Sequence, residues 1–452
     1  MADAKTTIVI LTFLLTIALI IWRPKGLNES IPVSAGAAIF LLTGIVPLTS
    51  LSSIAETVSG AAITILSTII MSIILDSIGF FRWAAFNMIE YARGSGIRLF
   101  CCVIALCFLM TVFFNNDGSI LITTPIILKM TNLLQFKLHQ KIPYLISGAI
   151  IATAASAPIG VSNIANLIAL RIVGLDLNEY ALRMLVPSMI GIVAIAFFLY
   201  SYFRKQVPKR IQTVRPGWIN PSAQDRKREF HPLMDAQDNP PVDWWLFRIC
   251  MIIVVATRAG FFIGSGFGVP MEWIAITGAG ILIALRWFRT GTGVRDLLIK
   301  TPWHILLFAF GIYVLVEGLQ QIGLTRFLVR ELAPLLNSGD LNVVIVTGGL
   351  LTIMSNMMNN LPSVMIGTLS LTEMNLDPHT LQLAYLANIL GSDIGALLTP
   401  PGTLAALIWL FILRQHQIKL SWKMYMKVSV VIIPAGLLIS LLSLYAWTQL
   451  IG

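Results

Sequence analysis

Charge is what this chain has least of. Only 12% of its 452 residues are Asp, Glu, Lys or Arg, against about 25% in a soluble domain, which excludes a water-soluble globular protein. Cysteine is scarce too. Cys101, Cys102, Cys107 and Cys250 all lie inside apolar runs, show no metal-ligand spacing, and read as packing residues. The histidines at 139, 231, 304, 379 and 416 are scattered along loops and span ends, so the chain is expected to hold no metal and no cofactor. It has no enzyme signature and no Walker A sequence, so it cannot hydrolyse ATP by itself. The net charge of +10 is gathered in particular loops, which is a topological signal and no sign of nucleic-acid binding.

What the chain has in plenty is apolar sequence. Hydrophobic residues make up 57% of it, in runs of about 20 residues, each long enough to cross a bilayer as a helix. The first, "TTIVILTFLLTIALIIW", has no basic leader region and no small-residue cleavage site, and reads as a retained span. The long polar exception is residues 204–243, with eight Lys/Arg and six prolines. It reads as a linker between a first half, 1–203, and a second, 244–452.

The halves resemble each other. "IPVSAGAAIFLL" from Ile31 matches "VPMEWIAITGAGILIAL" from Val269, "SIGFFRW" matches "QIGLTRF", "NND" at Asn115 matches "NNLP" at Asn359, and "GVSNIANLIAL" from Gly160 matches "GTLAALIWL" from Gly402. Ordered matches at nearly one offset indicate an internal duplication. In the first half the spans read 6–22, 31–49, 57–80, a hairpin 97–135, a broken helix 143–170, and 180–203. The second half has its hairpin at 341–371 and its broken helix at 380–414. Five crossings plus one hairpin per half place the second half upside down relative to the first.

The positive-inside rule orients the chain. With the linker cytoplasmic, 25 of the 31 Lys and Arg fall on the cytoplasmic side, and both termini come out external. The fold class expected is an all-α polytopic membrane protein of two inverted repeats, each with about five transmembrane helices, a helical hairpin and a broken helix.

Interrupted helices expose backbone groups that lipid cannot satisfy, so they survive only where protein or a water-filled cavity surrounds them. Four breaks are expected near the midplane: 115–118 ("NNDG"), 156–166, 355–363 and 388–403. Each combines Asn, Ser or Thr with Gly or Pro, which supplies donors and acceptors where the chain unwinds. Any one of these side chains is as good a helix cap as a substrate contact, whereas four such clusters together read as a binding site. No Lys or Arg lies within them, which leans toward a neutral, hydroxyl-bearing substrate or a weakly bound anion. Among the acids at membrane depth, Asp76 and Glu317 fall near span ends. Asp117 and Asp393 sit in the breaks and are the candidates for reversible protonation.

As a set, "FFNNDGSILITTPIIL", "VSNIAN", "MNNLPSVMIGTLS", "ANILGSDIGALLTPPGTLAALIWL" and the early "IIWRPKGL" resemble the arsenical pump membrane proteins, arsenite efflux permeases of the ion transporter superfamily, from about Ile20 to Trp447. The resemblance implies paired hairpins, alternating access, and export of As(III) or Sb(III) across the inner (plasma) membrane in exchange for protons, sometimes with an ATPase subunit on the cytoplasmic face. Matched by position are Asn116, Asp117, Gly118; Ser162, Asn163, Asn166; Asn359, Asn360, Pro362; and Asp393, Gly395, Thr399, Pro400, Gly402. The chain departs from the family's usual residues at Asn115, Ser392 and Ala396-Leu397. With Asn115 from the first tip and Thr403 from the last break, the substrate-binding set is Asn115, Asn116, Gly118, Ser162, Asn163, Asn166, Asn359, Asn360, Thr399, Gly402 and Thr403, and Asp117 and Asp393 are the proton carriers. Arsenite at neutral pH is mainly an uncharged triol, which suits such partners.

Two other readings stay open. A transporter of the same fold could carry another small inorganic or organic anion, proton- or sodium-driven. A membrane sensor could act through the 204–243 linker, which has no recognisable domain.

Overall fold

The computed structural model describes residues 2–211, 243–336 and 338–451. Most of the linker, residues 212–242, and with it His231, therefore lies outside the described residues. Every regular element described is helical. The first half runs α1 (Ala2–Trp22), α2 (Ser30–Leu42), α3 (Ser50–Ser77), α4 (Phe80–Ala92), α5 (Gly96–Phe113), α6 (Asn116–Leu133), α7 (Leu138–Ala154), α8 (Ile164–Val173) and α9 (Leu177–Phe203). The second runs α10 (Trp244–Gly266), α11 (Met271–Thr290), α12 (Arg295–Lys300), α13 (His304–Gln321), α14 (Leu324–Leu336), α15 (Asp340–Met358), α16 (Asn360–Glu373), α17 (Pro378–Asp393), α18 (Leu404–Gln415) and α19 (Trp422–Ile451). Ten helices among the described residues are long and apolar enough to cross a bilayer.

Element order repeats once the short α12 is set aside, and so does packing. α3 packs on α11 as α13 packs on α2; α8 packs on α16 as α18 packs on α6; α10 meets α3 as α1 meets α13. These contacts between the halves thus come in pairs with the roles exchanged. Local geometry follows the same rule. Gly79 and Gly323, matched in sequence, have φ of 85° and 86°, a region where only glycine escapes a Cβ penalty, and each ends a long helix before a short one.

Between the span read as ending at 80 and the hairpin read as starting at 97 the structure places a short helix, α4, whose counterpart is α14. Thirteen residues rise only about 20 Å, too short to span. Other boundaries differ as well: α1 starts at Ala2, α2 stops at Leu42, α3 starts at Ser50 and α7 starts at Leu138. Asp76 is exposed, and Glu317 accepts from Gln321 Nε2 at 3.2 Å, as befits acids near span ends.

The broken helices form the centre. Residues 142–158, 160–170 and 383–397 are all buried, and a helix apolar on every face belongs inside. Large parts of α10 and α11 face outward.

Candidate functional site

Each interrupted helix restarts on a side chain that caps it. Asn115 Oδ1 accepts from Gly118 N at 2.6 Å to open α6. Asn163 Oδ1 accepts from Ala165 N at 3.0 Å to open α8. Asn359 Oδ1 accepts from Leu361 N at 3.4 Å to open α16, and Thr403 Oγ1 from Ala406 N at 3.1 Å to open α18. A cap satisfies an amide that the helix cannot. The first turn lies at Phe114–Asn115, because capping by Asn115 draws Asn116, Asp117 and Gly118 into the first turn of α6. The sequence reading had spread that tip over all of 115–118.

Three of these caps are bonded through their amides as well. Asn115 Nδ2 donates to Thr68 Oγ1 on α3 at 3.1 Å, and Asn359 Nδ2 to the Pro401 carbonyl at 3.0 Å. Asn163 Nδ2 donates to Asp393 Oδ1 at 2.8 Å. Buried Asp393 also accepts from Asn166 Nδ2 at 2.7 Å, and its Oδ2 lies 2.8 Å from Ser156 Oγ. One carboxylate from the second break thus gathers three polar groups of the first. The Ser156 hydroxyl lies 2.7 Å from the Thr153 carbonyl too. A hydroxyl has one proton to donate and can accept besides. It can donate to an ionised Asp393, or accept from a protonated Asp393 while donating to Thr153.

The second break is fastened to the second hairpin by Asn356. Its Oδ1 accepts from both Thr399 N and Thr399 Oγ1 at 2.8 Å, and its Nδ2 donates to the Thr352 carbonyl at 2.7 Å and the Gly395 carbonyl at 2.9 Å. Gly402 packs so closely that a methyl there would overlap the Ala396 carbonyl oxygen.

What remains unbonded is the more informative set. Asn116 and Asn360 hold matching places, each the first residue of its hairpin's second arm. Among the described residues, Asn116 Nδ2, the Asp117 carboxylate and both polar atoms of Asn360 make no hydrogen bond, although all three residues are at least 94% buried. Ser162 Oγ and Asn166 Oδ1 are likewise buried without a hydrogen-bond partner. Helix N-termini carry positive dipole ends, so this polar set lies beside four such ends, paired by the packing of α6 with α18 and α8 with α16. Glu29 is salt-bridged to Arg23 and lies 3.4 Å from His304 Nε2.

Ser156 and Asn356 lay inside the segments singled out from sequence, but nothing there distinguished them from their neighbours. Arg258 was missed outright. From α10 its guanidinium reaches the end of α5, donating from Nε to the Phe113 carbonyl at 2.5 Å and from Nη2 to the Phe114 carbonyl. Nη1 is buried without a hydrogen-bond partner. The available signal was a single cation inside the apolar run "MIIVVATRAGFFIG". Its place at the hairpin tip qualifies the expectation of a cation-free site: the four segments contain no Lys or Arg, yet a neighbouring helix brings one to the first of them. The cysteines are all free, with Cys107 and Cys250 buried.

Comparison with known proteins agrees with the architecture. By overall shape the chain resembles the YdaH transporter of Alcanivorax borkumensis, whose crystal structure is described as having an unusual topology. The TM-score is 0.55 with 12% identity, covering 89% of this chain and 88% of that one; this likeness concerns the fold alone. In sequence it is 46% identical to a Bacillus subtilis protein provisionally named an arsenical pump membrane protein, over 97% of this chain and 98% of that one. It is 32% identical to an arsenical pump membrane protein of Escherichia coli, over 96% of each. The family model described as arsenical pump membrane protein matches residues 8–448. That match runs unbroken through both hairpins and both broken helices, and the chain belongs to the arsenical pump membrane protein family.

Proposed function

We propose that this protein is a secondary transporter that exports As(III) and Sb(III) from the cytoplasm in exchange for protons. The observation that carries the proton part is the Ser156 hydroxyl, set between Asp393 and the Thr153 carbonyl. Turning one O–H bond lets the same cluster hold Asp393 ionised or protonated without breaking the joint between the two breaks. Asp117, with no hydrogen bond to its carboxylate, is the second carrier. Cargo binds at Asn116, Asn360, Ser162 and Asn166, whose free donors and acceptors suit a small trihydroxide. Asn115, Asn163, Asn359, Thr399 and Thr403, with the close approaches at Gly118 and Gly402, shape the cavity by holding its walls.

In this reading residues 1–203 and 244–452 are inverted repeats joined by a cytoplasmic linker, 204–243. The protein sits in the plasma membrane with both termini external. A cytoplasmic ATPase subunit, where one is present, would dock on the linker face.

Arg258 favours a second reading. A buried guanidinium nitrogen with no hydrogen-bond partner beside the first hairpin tip is what a site for a small oxyanion would contain.

Uptake of As(III) and Sb(III) into everted vesicles, with and without an imposed pH gradient, tests both readings. Gradient-dependent accumulation, abolished in Asn116→Ala/Asn360→Ala, is expected. No accumulation in vesicles containing folded protein would overturn the first reading and leave the second, and accumulation driven by sodium alone would overturn the proton exchange.

A further inference from the structure

A cleft of about 400 Å³ opens between the ends of α3, α8, α10 and α11. Its rim includes residues 174–177, 265 and 268–272, turns on the side that carries few Lys and Arg. It has more than enough room for several waters or a small solute, since a water occupies about 30 Å³ in the liquid. Its floor reaches Thr64 and Leu167. Thr64 is one helical turn from Thr68, which holds Asn115. Leu167 directly follows Asn166, which holds Asp393. The floor therefore stands about one turn, ~5 Å along a helix, from side chains that build the site.

One side chain bridges the cleft. Arg171, in the last turn of α8, donates from Nη2 to Glu272 Oε1 on α11 at 2.9 Å, and from Nη1 to the Glu56 carbonyl on α3 at 2.9 Å. On the way its guanidinium lies over Gly60, where any Cβ would displace it. A cation at the end of α8 and an acid at the start of α11 are each favourable to their own helix. The helix dipoles do not account for the crossing over Gly60 to a helix of the other half. Partly exposed ion pairs are weak, which suits a contact that must break once in every cycle.

The geometry points to this cleft as an antechamber of the transport site, with the Arg171–Glu272 pair, laid over Gly60, as the latch across it. The inference rests on the chain being a transporter and is indifferent to the cargo.

The test is thiol accessibility in protein whose four cysteines are replaced by serine. Thr64→Cys reports the floor, Ser265→Cys reports the rim, and a membrane-impermeant thiol reagent is applied from each face in turn. Cys at 64 is expected to react from the same face as the rim control, and slowly, since Thr64 is 1% exposed. Adding Glu272→Gln is expected to speed the reaction about two- to fivefold, the range for losing one exposed ion pair. Gly60→Val should do the same by displacing the guanidinium, and the exchange Arg171→Glu/Glu272→Arg should restore the slow rate. Reaction from the basic-loop face, no reaction where the rim control reacts, or a rate unmoved by Glu272→Gln would each overturn the proposal. No arsenical is used, so normal labelling in a protein that carries no arsenical would overturn the substrate reading and leave the antechamber standing.

Discussion

Asn163 and Asp393 lie 230 residues apart in the chain and are joined by a 2.8 Å hydrogen bond from amide to carboxylate. The same Asn163 caps α8, so one side chain both starts a helix of the first half and ties that half to the second.

Asp393→Asn should therefore be a structural lesion as well as a functional one. Asn163 and Asn166 donate to different oxygens, Oδ1 and Oδ2, and an amide puts an NH2 group in place of one of them. One donor then faces another donor, at a cost of about 1–3 kcal/mol for a buried group left unpaired. Thermal unfolding in detergent should fall to lower temperature. Asp117→Asn, at a carboxylate without hydrogen bonds, should leave the unfolding temperature near that of the parent and change only the pH dependence of transport.

Neighbouring asparagines should separate by role. Asn359 has φ 81°, caps α16 and holds Pro401. Asn359→Ala is expected to destabilise by about 1–2 kcal/mol through the lost cap alone, and Asn359→Gly by less, since glycine tolerates the backbone angle. Asn360→Ala removes no hydrogen bond within the protein, so it should keep the unfolding temperature and lose arsenite uptake. Measuring both properties on each variant is decisive: parallel loss of stability in the Asn360 variant would count against a substrate role.

Arg258→Lys should be poorly tolerated, since one ammonium cannot reproduce the fork over two consecutive carbonyls. If the guanidinium only holds the tip, the maximal transport rate falls while KM for As(III) holds. A KM rise larger than the fall in rate would move Arg258 into the cargo site and favour the anion reading.

Acidity on the cleft side should loosen one of its walls. Asp176 caps α9 and accepts from Ser265, and that hydrogen bond, ahead of the backbone amides, holds its carboxyl below the usual carboxylate range. A group depressed on folding stabilises above its unfolded pKa and loses that contribution as pH falls through its folded value. The distance between spin labels on α9 and α10 should therefore broaden as pH drops below about 4, and Asp176→Asn should remove the transition.

The sequence was legible where periodicity and composition speak. The apolar runs and the duplication came from counting, and the four breaks from Gly and Pro beside Asn, Ser and Thr. It was silent where geometry decides. Nothing in "NNDG" says that Asn115 is spent on Gly118 and Thr68 while Asn116 keeps a free amide, because both are the same residue type one step apart. Arg258 escaped because its distance from the tip along the chain hides that α10 packs against α5. The short helices α4 and α14 escaped because loops rich in charge and amphipathic helices have nearly the same composition.

The exchange of packing partners between the halves also bears on how the chain is made. α8 packs on α16, and the donors gathered by Asp393 precede it by 227 to 237 residues. At about 5–20 residues per second of synthesis, the first broken helix waits roughly 10–50 s in the membrane before its partner emerges from the ribosome. During that interval Ser156, Asn163 and Asn166 must be satisfied by something else, whether water, the insertion machinery or a passing helix. Nascent chains halted before residue 393 should therefore be caught by the quality-control proteases of the membrane, and chains halted just beyond α18 should escape them.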